Sequence, residues 1–323
     1  MILIVGGAGY IGSQVNKILS ENGYETVVLD NLVKGHKELV KWGKLEMGDL
    51  KNIDEIEAVF NKYSIEAVFN FAAFIEVGES VIDPEKYYFN NVVTTLNLLS
   101  VMRKHKVNKI IFSSTAATFG MPEYTPIDED HPQKPINPYG KTKLVIENIF
   151  KDFETAYGLQ YVVFRYFNAC GADSSGQIGE WHEPESHLIP ILLEAAKGKR
   201  EFFTLYGDDY ETPDGTCIRD YVHVEDLASA HLLGLKHLLS TGICKFYNLG
   251  SGSGYSNKEV VAAAKEVTGK DFEVRVGPRR VGDPAILTAS SDKIKKELGW
   301  KPQYTNINDI VKTAWQWSLK LGK

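Results

Sequence analysis

Residues 2–19 read ILIVGGAGYIGSQVNKIL, an apolar run followed by a glycine-rich turn and an amphipathic segment. The run at 2–5 is typical of a buried strand, and residues 11–19 carry apolar side chains at helical spacing. Between them, residues 7–12 match the pattern G-x-G-x-x-G. Its glycines allow a tight turn, a close approach of the backbone to a pyrophosphate and close packing of helix on strand. The stretch predicts the first strand, turn and helix of a dinucleotide-binding sheet, with the helix N-terminus facing the phosphates.

Alternating strands and helices continue through the first half of the chain. The predicted strands cover residues 26–29, 45–47, 67–72, 109–112 and 161–165, and the predicted helices cover 53–63, 87–101 and 139–156. Because the strands are apolar on both faces, we expect a doubly wound α/β fold with a parallel sheet of six or seven strands. After residue 170 we expect loops at 171–185, 207–215 and 250–254, and helices at 188–196, 257–268 and 307–319. The expected domains are a nucleotide-binding domain over 1–170 and a smaller α/β domain over 171–323.

Composition excludes several classes of protein. The chain has 323 residues with 36 Lys+Arg against 42 Asp+Glu, and this net negative charge disfavours nucleic acid as a partner. The three cysteines, Cys170, Cys217 and Cys244, lack the spacing of a metal site and fit a reducing compartment. We find no signal peptide and no apolar run of about 18 residues, so we expect a cytoplasmic protein with no membrane partner.

A carboxylate ends the second predicted strand. Asp30 lies 18 residues after Gly12, near the spacing at which an acidic residue binds the adenosine ribose of a dinucleotide. Its negative charge would repel a 2′-phosphate, so we expect NAD rather than NADP. Asp49, after the third strand, is a candidate contact to the adenine, although a simple Gly-Asp turn explains it nearly as well.

Tyr139 and Lys143 lie one turn apart at the start of a predicted helix, so their side chains share a face. A nearby ammonium and the positive nicotinamide ring would lower the pKa of the phenol, which could then accept a proton from a sugar hydroxyl. The residues from Ser113 to Thr115 follow the fifth strand, at the edge of the sheet where ligands of open α/β sheets bind. Each feature alone has an alternative, because Tyr-x-x-x-Lys often arises by chance and Ser or Thr commonly caps a turn.

Together these motifs resemble the extended short-chain dehydrogenase/reductase family, and within it the enzymes that epimerise UDP-sugars. Besides the glycine turn, the likeness includes FAAFIEVGES at 71–80, FSSTAATFG at 112–120, YGKTK at 139–143, RYFN at 165–168, GTCIRDYVHV at 215–224, YNLG at 247–250 and RRVGD at 279–283. It implies an NAD-binding Rossmann domain and a UDP-sugar-binding domain. The implied reaction is reversible C4 epimerisation of UDP-glucose and UDP-galactose through a 4-keto intermediate, with tightly bound NAD.

The resemblance also implies roles for individual residues. Tyr139 would be the acid/base, Lys143 its partner and Thr115 the hydroxyl beside them. The residues implied to hold the cofactor are Gly6, Gly9, Tyr10, Ile11, Gly12, Asp30, Asn31, Asp49, Leu50, Phe71, Ala72, Ala73, Asn90, Ser113, Tyr139, Lys143 and Tyr166. Those implied to hold the UDP-sugar are Thr115, Tyr139, Asn168, His187, Leu188, Tyr206, Arg219, Tyr221, Arg280, Asp283 and Leu287.

Two positions differ from relatives in the family. Leu287 stands where strict relatives have a bulkier Tyr, so we expect weaker but measurable activity on the N-acetylhexosamine pair. Ile75 stands where some relatives have a Lys, which leaves a cofactor or phosphate contact open at that position.

Two other functions fit the sequence less well. A sugar-nucleotide dehydratase of the same family would carry Asp-Glu where this chain has Ala116 and Ala117. A noncatalytic NAD sensor would have no need of Tyr139, Lys143 and Thr115 together.

One segment of the sequence contains several residue types that bind metals. The segment HEPESH at 182–187 contains metal-binding residue types, but it lacks an HExxH motif, includes a proline and lies in a predicted loop. We therefore expect no metal and place His187 near the substrate.

A homodimer is expected through the helices at 87–101 and 139–156, as in relatives.

Overall fold

The computed structural model describes residues 1–280 and 282–321, which form two compact units. Unit 1 consists of Met1–Gly120, Pro132–Arg165 and Ala228–Tyr247. Unit 2 consists of the described residues of Met121–His131, Tyr166–Leu227 and Asn248–Lys323.

The chain alternates strands and helices, as the periodicity predicts. The strands are β1 (Ile2–Val5), β2 (Thr26–Asp30), β3 (Lys44–Met47), β4 (Ala67–Asn70), β5 (Lys109–Thr115), β6 (Gln160–Tyr166), β7 (Asn168–Cys170), β8 (Phe202–Tyr206), β9 (Ile218–His223), β10 (Lys245–Leu249), β11 (Gly254–Ser256), β12 (Glu273–Gly277) and β13 (Ile286–Leu287). The α-helices are α1 (Tyr10–Glu21), α2 (Ile53–Lys62), α3 (Val77–Ile82), α4 (Pro84–Tyr87), α5 (Thr94–Lys104), α6 (Pro138–Tyr157), α7 (Leu188–Ala196), α8 (Val224–Thr241), α9 (Asn257–Thr268), α10 (Asp292–Leu298) and α11 (Ile307–Leu321).

A seven-stranded sheet forms the centre of the fold, with the strand order β10-β6-β5-β4-β1-β2-β3. The pairs of β1 with β2 and with β4 are parallel, as are β2 with β3 and β4 with β5. Every residue of β1, β2 and β4 is buried, which explains why these strands are apolar on both faces. The strand order reverses between β1 and β4, the position at which open α/β sheets bind ligands. The predicted doubly wound α/β fold with a parallel sheet is confirmed.

Unit 2 contains smaller sheets and its own apolar core. Strand β9 lies between β11 and β13 and also pairs with β7, while β8 pairs with β12. Helices α7, α9 and α11 pack on one another through a core that includes Ile189, Leu192, Val260, Ile310 and Val311. The second, smaller α/β part of the predicted fold is therefore present.

Several features differ from the sequence-based expectation. Helix α8 and strand β10 were not predicted, and their segment Ala228–Tyr247 belongs to unit 1, so a single break after residue 170 does not describe the two units. Within unit 1, the ring of His231 on α8 lies 4.6 Å from that of Phe164 on β6. Gly234, one turn later, fits against the same Phe164 ring. More than half of the residues of this helix are buried, polar ones such as Asp226 and His231 among them, so its apolar periodicity gives a weak signal.

The helix predicted at 87–101 is interrupted. Between α4 and α5 the backbone forms a π-helical segment, Tyr88–Val93. Just after it, the Thr95 hydroxyl donates to the Asn91 carbonyl at 2.7 Å, a side-chain hydrogen bond of the kind that bends helices. Within the described residues, no helix has the length and apolar character needed to cross a membrane.

Candidate active site

The glycine turn between β1 and α1 is shaped by backbone contacts that exclude side chains. A Cβ on Gly12 would lie 2.3 Å from the Gly6 carbonyl oxygen, and one on Gly6 would lie 2.7 Å from the Ala72 nitrogen. Gly6 also has a φ of +74°, a conformation that favours glycine. A Cβ on Gly9 would meet only the Gly6 oxygen, at 3.4 Å. The turn is therefore tight on its inner side and open at Gly9, which fits a pyrophosphate approaching the start of α1.

Asp30 ties the end of β2 to this turn. Its buried carboxylate accepts hydrogen bonds from the backbone N–H groups of Ala8, at 3.0 Å, and Leu32, at 2.9 Å. Burial raises the pKa of Asp30, and the two N–H groups partly offset this rise. Next to it, the Asn31 amide donates to Asp49 at 2.9 Å. Three residues predicted to bind the cofactor thus lie at the carboxyl ends of β2 and β3.

The remaining predicted cofactor residues lie on neighbouring segments. Tyr10 and Ile11 begin α1, Leu50 is buried after β3, Phe71, Ala72 and Ala73 follow β4, Asn90 lies in the π-helical segment, Ser113 lies on β5 and Tyr166 ends β6. Asn91 belongs to this group although the sequence patterns did not single it out. Its buried side-chain amide accepts a hydrogen bond from the Phe74 N–H and donates one to the Phe74 carbonyl. It also donates to Thr142 on α6 at 3.2 Å, so it holds the loop after β4 against that helix.

The predicted catalytic residues come together where β5 ends and α6 begins. Asn137 caps α6 by accepting from the Gly140 N–H at 2.8 Å, which sets the start of the helix one residue before Tyr139. The Thr115 hydroxyl lies near enough to the Tyr139 phenol to lower the pKa of that phenol. Lys143 donates to the Ser113 carbonyl oxygen at 2.7 Å. The Thr115 oxygen also accepts from the Ala117 N–H at 3.1 Å, so the capping role considered as an alternative is present as well.

Burial controls the protonation of this group. Burial raises the pKa of Tyr139 to about 12, opposed by the nearby Thr115 hydroxyl and assisted by Glu76. Burial lowers the pKa of Lys143 to about 7, against the opposing effect of Glu147. The expectation that Lys143 lowers the pKa of Tyr139 is therefore not met by the chain's own groups.

Glu147 is a buried residue that the sequence analysis missed. It lies one turn beyond Lys143 on the inward face of α6 and is fully buried. Its carboxylate accepts from Arg165 at 2.8 and 3.1 Å, from Ser114 at 2.5 Å and from Gln133 at 3.0 Å. The spacing of Tyr139, Lys143 and Glu147, each four residues after the last, was the signal that could have identified it.

Seven of the predicted UDP-sugar residues of unit 2 form three groups. On β9, Arg219 pairs with Asp283 and lies opposite Leu287 of β13 in the strand register. The Arg280 guanidinium lies 4.3 Å from the centre of the Tyr206 ring. In the third group, β7 places Asn168 opposite Tyr221, and the Asn168 amide donates to the Asp220 carbonyl at 2.7 Å.

His187 and Leu188 lie at the start of α7, beside a cluster of ionisable side chains. The potential ligand atoms of Glu180, His182, Glu185 and His187 all lie within 4.8 Å of one another. His182 Nδ1 is 3.1 Å from Glu180 Oε1, and His187 Nδ1 contacts the same oxygen. Burial opposes the charge on Glu180, but the two histidines outweigh it and lower the pKa of that carboxyl. The fold thus brings together residue types whose spacing alone did not suggest a site.

Comparison with known proteins identifies the family of the chain. The chain matches a family model described as GDP-mannose 4,6 dehydratase over residues 3–314. It is 51% identical over 316 residues to UDP-glucose 4-epimerase of Halalkalibacterium halodurans, covering 98% of this chain and 95% of that one. This chain belongs to the UDP-glucose 4-epimerases of that family. Among solved epimerase structures, UDP-glucose 4-epimerase from Brucella ovis in complex with NAD matches with a TM-score of 0.95 and 48% identity, covering 97% of each chain. The UDP-Glc/GlcNAc 4-epimerase of Campylobacter jejuni matches with a TM-score of 0.87 and 42% identity, covering 99% of each chain.

Replacing Glu147 by Gln should destabilise the protein strongly. The substitution leaves the buried Arg165 without its counter-charge, and breaking a buried ion pair from one side costs about 3–5 kcal/mol. Denaturant unfolding of the NAD-loaded protein measures the loss. Glu154→Gln on the same helix is the control, since Glu154 is exposed and its carboxylate accepts a hydrogen bond from Tyr161 at 2.8 Å. It should cost less than about 1 kcal/mol. Equal effects of the two substitutions would contradict this role of Glu147.

Proposed function

We propose that this protein interconverts UDP-glucose and UDP-galactose by reversible epimerisation at C4, through a 4-keto sugar and with NAD retained throughout the cycle. The observation that carries the proposal is that Thr115 at the end of β5 lies beside Tyr139 near the start of α6, with Lys143 one helical turn further and bonded to the Ser113 carbonyl. The membership of the chain in the UDP-glucose 4-epimerases supports the same reaction. A dehydratase activity is disfavoured, because Ala116 and Ala117 follow Thr115 and offer no acid or base.

NAD is assigned to unit 1. The turn at Gly6, Gly9 and Gly12 would hold the pyrophosphate, and the carboxylate of Asp30 would bind the adenosine ribose. Asn31 and Asp49 would lie at the adenine end, and the residues around Phe71, Asn90 and Ser113 would complete the part of the cofactor site that unit 1 supplies. When bound, NAD supplies the hydride-accepting and hydride-returning chemistry that an epimerisation without net redox change requires.

Tyr139 is assigned the proton transfers. Its phenolate would take the proton of the sugar 4-hydroxyl and later return one to the 4-oxygen, with Thr115 hydrogen-bonding the same oxygen. Since burial raises the pKa of Tyr139 to about 12, the phenolate must be stabilised by positive charge. The Lys143 ammonium would provide part of it, and Glu147 favours the charged form of Lys143. Glu147 thus acts as a positioning and charge-balancing residue for Lys143.

The UDP-sugar is assigned to residues of unit 2. The guanidinium groups of Arg219 and Arg280 suit a diphosphate, because they offer paired N–H donors and keep their charge. Asp283 holds the Arg219 guanidinium in a defined orientation, and the Tyr206 ring does the same for Arg280. The other residues assigned to the substrate are Asn168, Leu188, Tyr221, Leu287 and the Nε2 side of His187, whose Nδ1 contacts Glu180.

Incubating the purified protein with UDP-galactose and measuring UDP-glucose tests the reaction. The wild type should carry NAD from purification and convert the substrate without added cofactor. Tyr139→Phe should lose about 10²–10⁴ in turnover while keeping its NAD, because it lacks the proton acceptor. The control is Tyr157→Phe at the exposed end of the same helix, which should match the wild type. Failure of the NAD-loaded wild type to convert UDP-galactose would contradict the function; near-normal turnover by Tyr139→Phe would assign the proton transfers elsewhere.

Leu287 is proposed to control which sugars are accepted. The 4-keto ring must turn within the site, so the wall that Leu287 forms limits the size of the 2-substituent. We expect clear activity on UDP-glucose and UDP-galactose, and weaker activity on the N-acetylhexosamine pair. Leu287→Tyr should lower the ratio of N-acetyl to plain sugar turnover, whereas Leu287→Met, which conserves volume, should preserve it. An unchanged ratio in Leu287→Tyr would remove Leu287 from this role.

A homodimer is proposed through the helices at 87–101 and 139–156. In support, Tyr88, Phe89, Val93, Leu96 and Val145 on these segments are exposed and apolar. Leu96→Lys should therefore shift sedimentation toward the monomer. Leu319→Lys, at an exposed apolar position on α11, should leave the dimer intact. A monomeric wild type at micromolar concentration would contradict the proposal.

A further inference from the structure

We propose that Glu180, His182, Glu185 and His187 form a structural binding site for one divalent transition-metal ion of the Zn²⁺ class. The inference rests on unit 2 alone and does not depend on the proposed epimerase activity.

The separations of the ligand atoms suit a small tetrahedral site. Zinc binds His nitrogen and carboxylate oxygen at about 2.0–2.2 Å, so neighbouring ligand atoms in a tetrahedron lie roughly 3.3–3.6 Å apart. Here His182 Nδ1 lies 3.1 Å from Glu180 Oε1 and 4.0 Å from Glu185 Oε1. No pair among the four ligand atoms is separated by more than 4.8 Å. Side-chain adjustments of about an ångström would complete the coordination.

The donor set selects the kind of metal. Two imidazoles with two carboxylates suit Zn²⁺, Co²⁺ or Ni²⁺, whereas Mg²⁺ and Ca²⁺ prefer all-oxygen sites. With neutral imidazoles the cluster carries two negative charges, which a divalent ion balances. The carboxylate side chains of Glu180 and Glu185 are only 6% and 7% exposed. Because buried carboxylates are costly unless they are paired or bind a metal, a cation at this position would relieve that cost.

The surroundings hold the ligands and leave a path for the ion. Glu185 accepts hydrogen bonds from the backbone N–H groups of Ser186 and His187, at 2.7 and 2.8 Å. The backbone at Glu180 is held by the Trp317 indole, which donates to its carbonyl at 2.8 Å. A cavity of about 170 Å³ borders Glu180, His182 and Glu185. The His182 and His187 side chains are 21% and 43% exposed, so an ion can enter from this side.

Four protein ligands leave no open coordination position, which is typical of a structural zinc site rather than a catalytic one. The metal would join Glu180 to a loop that ends at His187, the residue preceding α7. Its expected effect is to stabilise this loop and the start of α7, and its removal should lower the unfolding temperature.

The test uses the full-length, NAD-loaded protein, stripped of metal with a chelator and dialysed. Titration with Co²⁺ should give one equivalent of binding, with the intense visible absorption of tetrahedral Co²⁺, and Zn²⁺ should displace it. Zn²⁺ should also raise the unfolding temperature of the stripped protein. His182→Gln and, separately, Glu185→Gln should weaken Co²⁺ binding by at least about tenfold and remove the effect of Zn²⁺ on stability. The matched control is His237→Gln at a partly exposed histidine of α8, which should bind as the wild type does.

The proposal is overturned if the stripped wild type binds less than one equivalent of Co²⁺ or shows only octahedral absorption. It is also overturned if both ligand variants bind as tightly as the wild type, since the ion would then lie elsewhere. His182 is partly exposed, so its substitution should preserve folding, and circular dichroism of each variant checks this.

Discussion

Two opposite charges on the inward face of helix α6 constrain the structure around them. Lys143 and Glu147 are both buried, one turn apart, where unpaired charges are very costly. Glu147 is compensated by Arg165 on β6, by Ser114 on β5 and by Gln133 before the helix. The Arg165 guanidinium lies about 5 Å from the ring centres of Phe119 and Phe246, so it too is held from both sides. These contacts fix the position of α6 against the carboxyl end of β5, and with it the positions of Tyr139 and Lys143.

The same buried charges affect both the stability of unit 1 and the proton transfer assigned to Tyr139. Burial opposes the charged forms of both Tyr139 and Lys143, which are the forms that proton transfer from a sugar hydroxyl requires. A buried carboxylate on the same helix face favours the lysine ammonium at the cost of needing its own partner. The ion pair between Glu147 and Arg165 is thus part of the explanation for how the half-buried Tyr139 of unit 1 could act as a base. A tyrosine on the surface would not need this ion pair.

In unit 2 the polar clusters depend on segments that are distant in sequence. Arg219 meets Asp283 because β13 pairs with β9, and Arg280 meets the ring of Tyr206 across a similar distance along the chain. The cluster at Glu180 is local by comparison, but a loop rather than a helix brings its members together. Short motifs are therefore a poor guide here, since the useful neighbours are set by strand pairing and loop path.

The sequence by itself determined the doubly wound fold, the glycine turn, the carboxylate at Asp30 and the position of Tyr139 and Lys143 one turn apart at the start of α6. These are local patterns, in which buried parallel strands are apolar on both faces and residues four apart share a helix face. Only the tertiary structure decided that Ala228–Tyr247 belongs to unit 1, that Glu147 balances Arg165, and that Glu180 lies beside two histidines. Each of these depends on which distant segments pack together, and a buried charge gives no periodic signal of its own. Packing brings such groups together, and the cost of burying them unpaired then determines which partners they must have.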